Sequence, residues 1–199
     1  MSLPGSSPGG SPGGFADADL IARVLRTDDR NAFAELVRRH QSALRASLRK
    51  MTGNIEIADD IAQETFILAW KKIGSFRFEA KFSTWLYRIA FNAWQSEVRK
   101  KHEVSMDEDY ESADAEQTQP PESEATGQRR DLLRAMAVLN EAERAAIFQC
   151  YYNDLSHDEA AYVLGIPLGT LKTNVLRAKE KMRSKLMDYA PPASNGVAA

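Results

Sequence analysis

The chain has 199 residues, with 26 Lys+Arg against 28 Asp+Glu, three His and a single Cys. One Cys excludes an internal disulfide framework, and with scattered His it argues against a Cys/His zinc cluster. No apolar run approaches the roughly 20 residues that span a bilayer, and no charged-then-apolar leader opens the chain, so a soluble cytoplasmic protein is expected.

The net charge of −2 conceals an uneven distribution. Residues 15–101 carry a net +5, residues 102–128 a net −9 and residues 129–199 a net +2. Two basic blocks either side of an acidic strip keep nucleic acid open as a partner, which the whole-chain balance would have argued against.

In chain order, residues 1–14 are almost all Gly, Ser and Pro and read as a flexible tail. Residues 15–101 form a first helical block. Ala32, Phe33, Leu36, Val37 and His40 follow helical spacing, and Asn54 precedes the run IEIADDIAQETFILAWKKI, in which Ile57, Ile61, Leu68 and neighbouring Ala residues make an apolar stripe. Gly74 is expected to end that helix. Ser83 is expected to cap TWLYRIAFNAWQSEVRKK, which closes on Arg99, Lys100 and Lys101 at the negative end of the helix dipole. Residues 102–128 combine nine acids with Pro120-Pro121 and read as an extended, flexible acidic linker. Residues 129–189 form a second helical block with two capping boxes, Asn140 with Glu143 and Ser156 with Glu159, and residues 190–199 read as a tail. Alternating strand patterns are missing. The fold class expected is all-α: two small helical domains joined by the linker.

Within the second block, SHDEAAYVLGIPLGTLKTNVLRAKEKMRSKL predicts a short helix, a tight turn and a longer helix. Ala160 and Ala161 allow a close helix crossing, Gly165 supplies a turn with positive φ, and Pro167 opens the second helix. Leu171 and Val175 share one face of it, while Lys172, Thr173, Leu176, Arg177 and Lys179 spread over the other. A basic outward face on the second helix suits the major groove. The bland alternative is a helical hairpin with a solvated charged face. The order of cap, small pair, turn glycine and basic helix favours DNA.

The first block offers two features. Asp59, Asp60, Gln63 and Glu64 share an exposed face by i, i+4 spacing, with Phe66, Leu68 and Trp70 nearby as apolar contact area. Such a face is either solvated or a docking surface for a basic partner. The segment FRFEAKFSTWLYRIAFNAWQSEVRKK interleaves Phe76, Phe78, Phe82, Trp85, Tyr87, Phe91 and Trp94 with Arg77, Lys81, Arg88, Arg99 and Lys100. Trp85 and Phe91 are expected to pack inward. Aromatics beside basic residues also form platforms for unpaired bases, at roughly 1–3 kcal/mol per stacked base.

DIAQETFILAWKKIGSFR with FSTWLYRIAFN resembles region 2 of the bacterial extracytoplasmic-function (ECF) sigma factors, and LSHDEAAYVLGIPLGTLKTNVLRAKEKMR resembles their region 4. The match covers about residues 17–101 and 129–187. The resemblance implies a promoter-specificity subunit that binds RNA polymerase core. Asp59, Asp60, Gln63 and Glu64, with Phe66 and Trp70, would dock on the largest catalytic subunits. Phe76, Arg77, Lys81, Phe82, Trp85, Tyr87, Arg88, Asn92, Ser96 and Arg99 would read and melt the −10 motif as a single strand. Lys172, Thr173, Leu176, Arg177 and Lys179 would meet the −35 motif as duplex. The linker would pass through the polymerase cleft, and an anti-sigma factor would hold the protein inactive. Two positions depart from the family pattern: Phe78 stands where Gly or Pro often follows Phe-Arg, and Ser96 where Asp is common. Both bear on which −10 sequence is preferred. No catalytic constellation, cofactor or metal is expected, and no membrane insertion. The rival reading is a dimeric helix-turn-helix regulator acting alone, for which no long heptad seam is visible.

Overall fold

The computed structural model describes residues 16–107 and 127–188. The two predicted tails and most of the predicted linker lie outside the described residues. Among the described residues there is no strand, and eight α-helices carry the fold.

The first unit comprises α1 (Asp17–Thr27), α2 (Arg30–Thr52), α3 (Ile55–Lys72) and α4 (Phe82–Asp107). Asp28 turns the chain out of α1 at φ 53°, and Asp29 then caps α2, its Oδ1 accepting from the Asn31 and Ala32 N–H groups at 3.0 Å. Its other oxygen receives Arg23 at 2.6 Å. The Ala32 N–H, and then Arg23, hold the Asp29 carboxyl below its ordinary value. Gly53, at φ 68°, ends α2, and the Asn54 side chain accepts from the Ile57 N–H at 3.0 Å to start α3. The result is a tight antiparallel hairpin against which α4 packs.

Three local expectations are corrected. Gly74 does not close α3 in a left-handed conformation; it lies within a 3₁₀ turn, Ile73–Ser75. Ser83 does not cap α4. The Trp85 N–H bonds the Lys81 carbonyl at 3.0 Å, so Lys81 holds the cap position and Ser83 sits in the first turn. Helix also runs into both ends of the stretch expected as linker, because α4 continues to Asp107 and the next helix begins at Gly127. No Gly or Pro stands between Phe82 and Asp107 to stop it.

Two apolar clusters hold this unit. Leu20, Ile21 and Val24 of α1 meet Phe33, Leu36, Ala69, Ile73, Phe76, Phe82, Trp85, Leu86 and Ile89 in one. Leu44, Leu48, Ala58, Ile61, Ala62, Ala90 and Ala93 form the other, where small side chains bring α2, α3 and α4 together.

The second unit comprises α5 (Gly127–Ala137), α6 (Glu141–Ile147) running on into a π-helical turn at Phe148–Tyr152, α7 (His157–Leu164) and α8 (Leu168–Asp188). Both predicted capping boxes are present. The core is Leu139, Ala146, Ile147, Ala160, Ala161, Leu171, Val175 and Ala178. Glu143 is buried among them, bonded to the Asn140 N–H at 3.0 Å and to Lys181 Nζ at 2.8 Å. Lys181 first of all holds its carboxyl below the ordinary 4.5. A lowered carboxyl stabilises the native state above the ordinary pKa and loses that contribution as pH falls through the native value. The second unit is therefore expected to weaken below pH 4.5, and Glu143→Gln to flatten that loss, in thermal melts between about pH 3 and 7.

Candidate nucleic-acid interface

Gly165 makes the turn between α7 and α8 at φ 67°, and the Ile166 N–H bonds the Ala161 carbonyl at 3.2 Å. Buried Ala160 and Ala161 let the two helices cross closely. A Cβ at Gly165 would meet no atom within 4 Å, so only backbone strain opposes one. Gly165→Ala is expected to cost about 1–2 kcal/mol, and Gly165→Asn less, by urea unfolding. Beyond the turn, Leu171, Val175 and Ala178 face inward. Lys172, Thr173, Leu176, Arg177 and Lys179 are all exposed. Leu176 is 58 % exposed with no apolar duty, which fits a contact with a thymine methyl. Thr173 Oγ1 donates to the Gly169 carbonyl at 2.9 Å, and Lys179 Nζ stands 5.0 Å from the Tyr151 ring centre, at the flank of the face.

On α3, Asp60, Gln63 and Glu64 are exposed together. Asp59 departs from them. It faces α2, 3.2 Å from Arg49 and 3.7 Å from Arg45, because a step of one residue turns a helix by about 100°. Phe66 packs against both apolar clusters, and Trp70 sits edge-on to Phe33 at 4.9 Å, so both are half-buried supports. Ile67, 47 % exposed beside the carboxylates, is an uncovered apolar side chain that spacing alone did not single out.

The aromatic-basic segment divides in two. Phe76, Phe82 and Trp85, which the resemblance would set against DNA, are only 7 %, 4 % and 7 % exposed and interlock with ring centres 5.3–5.9 Å apart, so Trp85 packs inward as its size led one to expect. They are scaffold, because a unit of this size needs large rings in its core. Phe91 is buried as expected. Arg77, Phe78 and Lys81 remain exposed in the loop. Phe78 adopts φ 58°, uncommon for a bulky residue, and leans edge-on against Phe76 at 4.9 Å. Along α4, Arg88, Asn92, Ser96 and Arg99 fall on one stripe by i, i+4 and i, i+3 steps, with Arg99 donating to Ser96 Oγ at 3.4 Å. Tyr87 is half-buried, and burial raises its phenol.

One arrangement had no local signal in the sequence: α7 lies across the start of α4. Lys81 Nζ and Thr84 Oγ1 each stand 3.2 Å from Glu159 Oε1, a contact between residues 75 apart for Thr84. The Arg88 guanidinium lies 4.4 Å from the centre of the Tyr162 ring, and Tyr162 packs against the first unit's core. The Tyr152 hydroxyl reaches the Ala46 carbonyl at 3.4 Å. Burial works to raise the Glu159 carboxyl, but its bonds to Ser156 and Lys81 together outweigh that and leave it below the ordinary value.

Among the described residues, no three His, Cys, Asp or Glu side chains gather as a metal-holding group. No helix there is long and apolar enough to cross a membrane.

Residues 36–103 match the family model for Sigma-70 region 2, and residues 129–182 that for Sigma-70, region 4. The chain is 34 % identical to the ECF RNA polymerase sigma factor SigW of Bacillus subtilis over 175 residues, covering 82 % of this chain and 94 % of SigW. It is 32 % identical to the RNA polymerase sigma-H factor of Pseudomonas aeruginosa over 181 residues, covering 85 % and 93 % of the two chains. Among solved structures it is similar to RpoE of Bartonella quintana in complex with the anti-sigma factor NepR. The TM-score is 0.62 at 26 % identity, covering 80 % of this chain and 98 % of that one. It is also similar to CnrH in complex with the cytosolic domain of CnrY, with TM-score 0.61 at 25 % identity, covering 88 % and 99 %. With both regions matched in order, and relatives above 30 % identity spanned almost end to end, the chain belongs to the ECF sigma factors of RNA polymerase.

Proposed function

We propose a division of labour over the two units of this sigma factor. Asp60, Gln63, Glu64 and Ile67 of α3 dock on polymerase core. Arg77, Lys81, Arg88, Asn92, Ser96 and Arg99 hold the −10 strand, with Phe76, Phe82 and Trp85 setting their positions from below. Lys172, Thr173, Leu176 and Arg177 read the −35 duplex, with Lys179 on neighbouring phosphate. The observation that carries this reading is the exposed face of α8. Its inward side is all core and its outward side joins cations and a hydroxyl to an uncovered Leu, the mixture that positioning and base readout require. The protein performs no chemistry of its own; it orients polymerase. An anti-sigma factor as a further partner is supported by the complexes in which RpoE of Bartonella quintana and CnrH were solved.

Gel filtration with core polymerase, followed by run-off transcription on a promoter library, tests the proposal. Co-elution with selective initiation is the expected result. Failure to bind core, together with tight duplex binding by the protein alone, would instead establish the stand-alone regulator. Within the same assay, Arg177→Ala is expected to weaken −35-dependent output by ~1–3 kcal/mol while leaving core binding intact. Unchanged promoter choice would remove Arg177 from the reading face.

A further inference from the structure

We infer that Tyr151 and Arg183, together with Lys179, form a phosphate-binding edge along one side of α8, by which one strand of the −35 duplex is gripped. The inference rests on the proposed reading of α8 and adds two residues to it, one of them from outside that helix. Lys172, Leu176, Lys179 and Arg183 recur at i, i+4, i+7 and i+11, so they line a single side of α8. All four are exposed. Among the described residues, no carboxylate pairs with Lys179 or Arg183. Lys181, on the other side, is drawn onto buried Glu143 at 2.8 Å. A helix about 10–12 Å across fills a major groove about 12 Å wide, so its two edges face the two phosphate rows. The uncommitted cations Lys179 and Arg183 therefore meet one row.

Tyr151 is mounted beside that edge on a π-helical turn, Phe148–Tyr152, a form that recurs where a side chain has to be re-aimed for function. The Asn153 N–H bonds the Phe148 carbonyl and the Leu155 N–H bonds the Gln149 carbonyl, both at 3.1 Å. Gln149 is buried and accepts from Asn153 Nδ2 at 2.8 Å, Cys150 packs on the unit's core, and the Phe148 and Tyr152 rings stack at 4.9 Å. The residues on either side of Tyr151 are thus tied down. Tyr151 itself is 56 % exposed, and its hydroxyl bonds nothing among the described residues. Its ring centre lies 5.0 Å from Lys179 Nζ. The ring steadies the ammonium, and the phenol adds an O–H donor beside it. Ammonium, guanidinium and hydroxyl on a rigid mount are the groups that hold a nucleic-acid backbone without reading its sequence.

The test uses holoenzyme, assembled from the full chain and core polymerase, on a fluorescein-labelled promoter duplex taken from the run-off library. Anisotropy is followed across a salt series. Arg183→Gln is expected to make the log–log salt slope shallower by about 0.9, the share of one phosphate contact on duplex. Tyr151→Phe keeps the ring beside Lys179 and removes only the hydroxyl. It is expected to bind about fivefold weaker at the parental slope, because an uncharged donor releases no counterion. Both side chains are exposed, so thermal melts should match the parent's. Arg26→Gln makes the same charge change on exposed α1 surface and is expected to leave slope and affinity unchanged. A single neutral methylphosphonate linkage, moved along both strands of the −35 motif, locates the contact. At one linkage it should weaken the parent and leave Arg183→Gln no weaker. Parental slope in Arg183→Gln, parental affinity in Tyr151→Phe, an equal slope change in Arg26→Gln, or additive losses at every linkage would each overturn the inference. Failure of the underlying reading has a different signature, since Arg177→Ala would then leave promoter choice as in the parent. If Arg177→Ala relaxes promoter choice while the edge variants bind like the parent, α8 reads the duplex without this edge.

Discussion

Reversing Asp60 and Glu64 together to Arg is expected to abolish co-elution with core polymerase, a loss of about 10²–10³-fold in affinity. Both side chains are exposed, and neither lies in the apolar clusters that hold α3 in place. The double substitution should therefore leave the thermal melt of the first unit close to the parent's. Two positive charges would stand where the proposed docking surface carries two carboxylates, and like charges at an interface cost several kcal/mol. Asp59→Asn is the informative contrast. Asp59 is engaged with Arg45 and Arg49, so its loss is expected to lower stability slightly and spare docking. Undiminished core binding by the Asp60, Glu64 double variant would move the docking surface off α3. Loss of binding on Asp59→Asn would return that residue to the interface.

Leu171→Ala is expected to cost about 2–5 kcal/mol, because Leu171 is fully buried at the centre of the second unit and the change leaves a cavity there. A unit of this size has little stability in reserve, so α8 should lose its fixed register against α7. The consequence is separable by assay. Run-off transcription from promoters that depend on the −35 motif should fall to background, while core co-elution through α3 persists. Urea unfolding should show an early transition for the second unit. A parental run-off level alongside a shifted unfolding midpoint would mean that polymerase rebuilds the unit on binding.

The features legible in sequence were those fixed by chemistry within one turn of chain. Ser156 with Glu159, Asn140 with Glu143, the paired Ala160 and Ala161 and the turn at Gly165 each depend on neighbours a few residues away, and each is present as expected. The all-α class followed from periodicity. What was not legible depended on a second element. Asp59 and Asp60 are equivalent in composition, and only Arg45 and Arg49 on α2 separate them. The rings of Phe76, Phe78 and Phe82 look alike in sequence, yet two are core and one is exposed, a choice made by how the loop folds back on α1 and α4. The contact of α4 with α7 joins distant segments and leaves no local trace.

That contact also orders events in time. Ribosomes add about 5–20 residues per second, and domains fold as units, N-terminal first. At that pace roughly 4–15 s separate the synthesis of Arg88 from that of Tyr162. During this interval the first unit can complete its own core while the helix that covers it has not been made. A nascent chain therefore exposes Lys81, Thr84 and Arg88 at the start of α4 before it acquires the helix that packs on them. Translation speed thus sets how long the first unit exists without α7 against it.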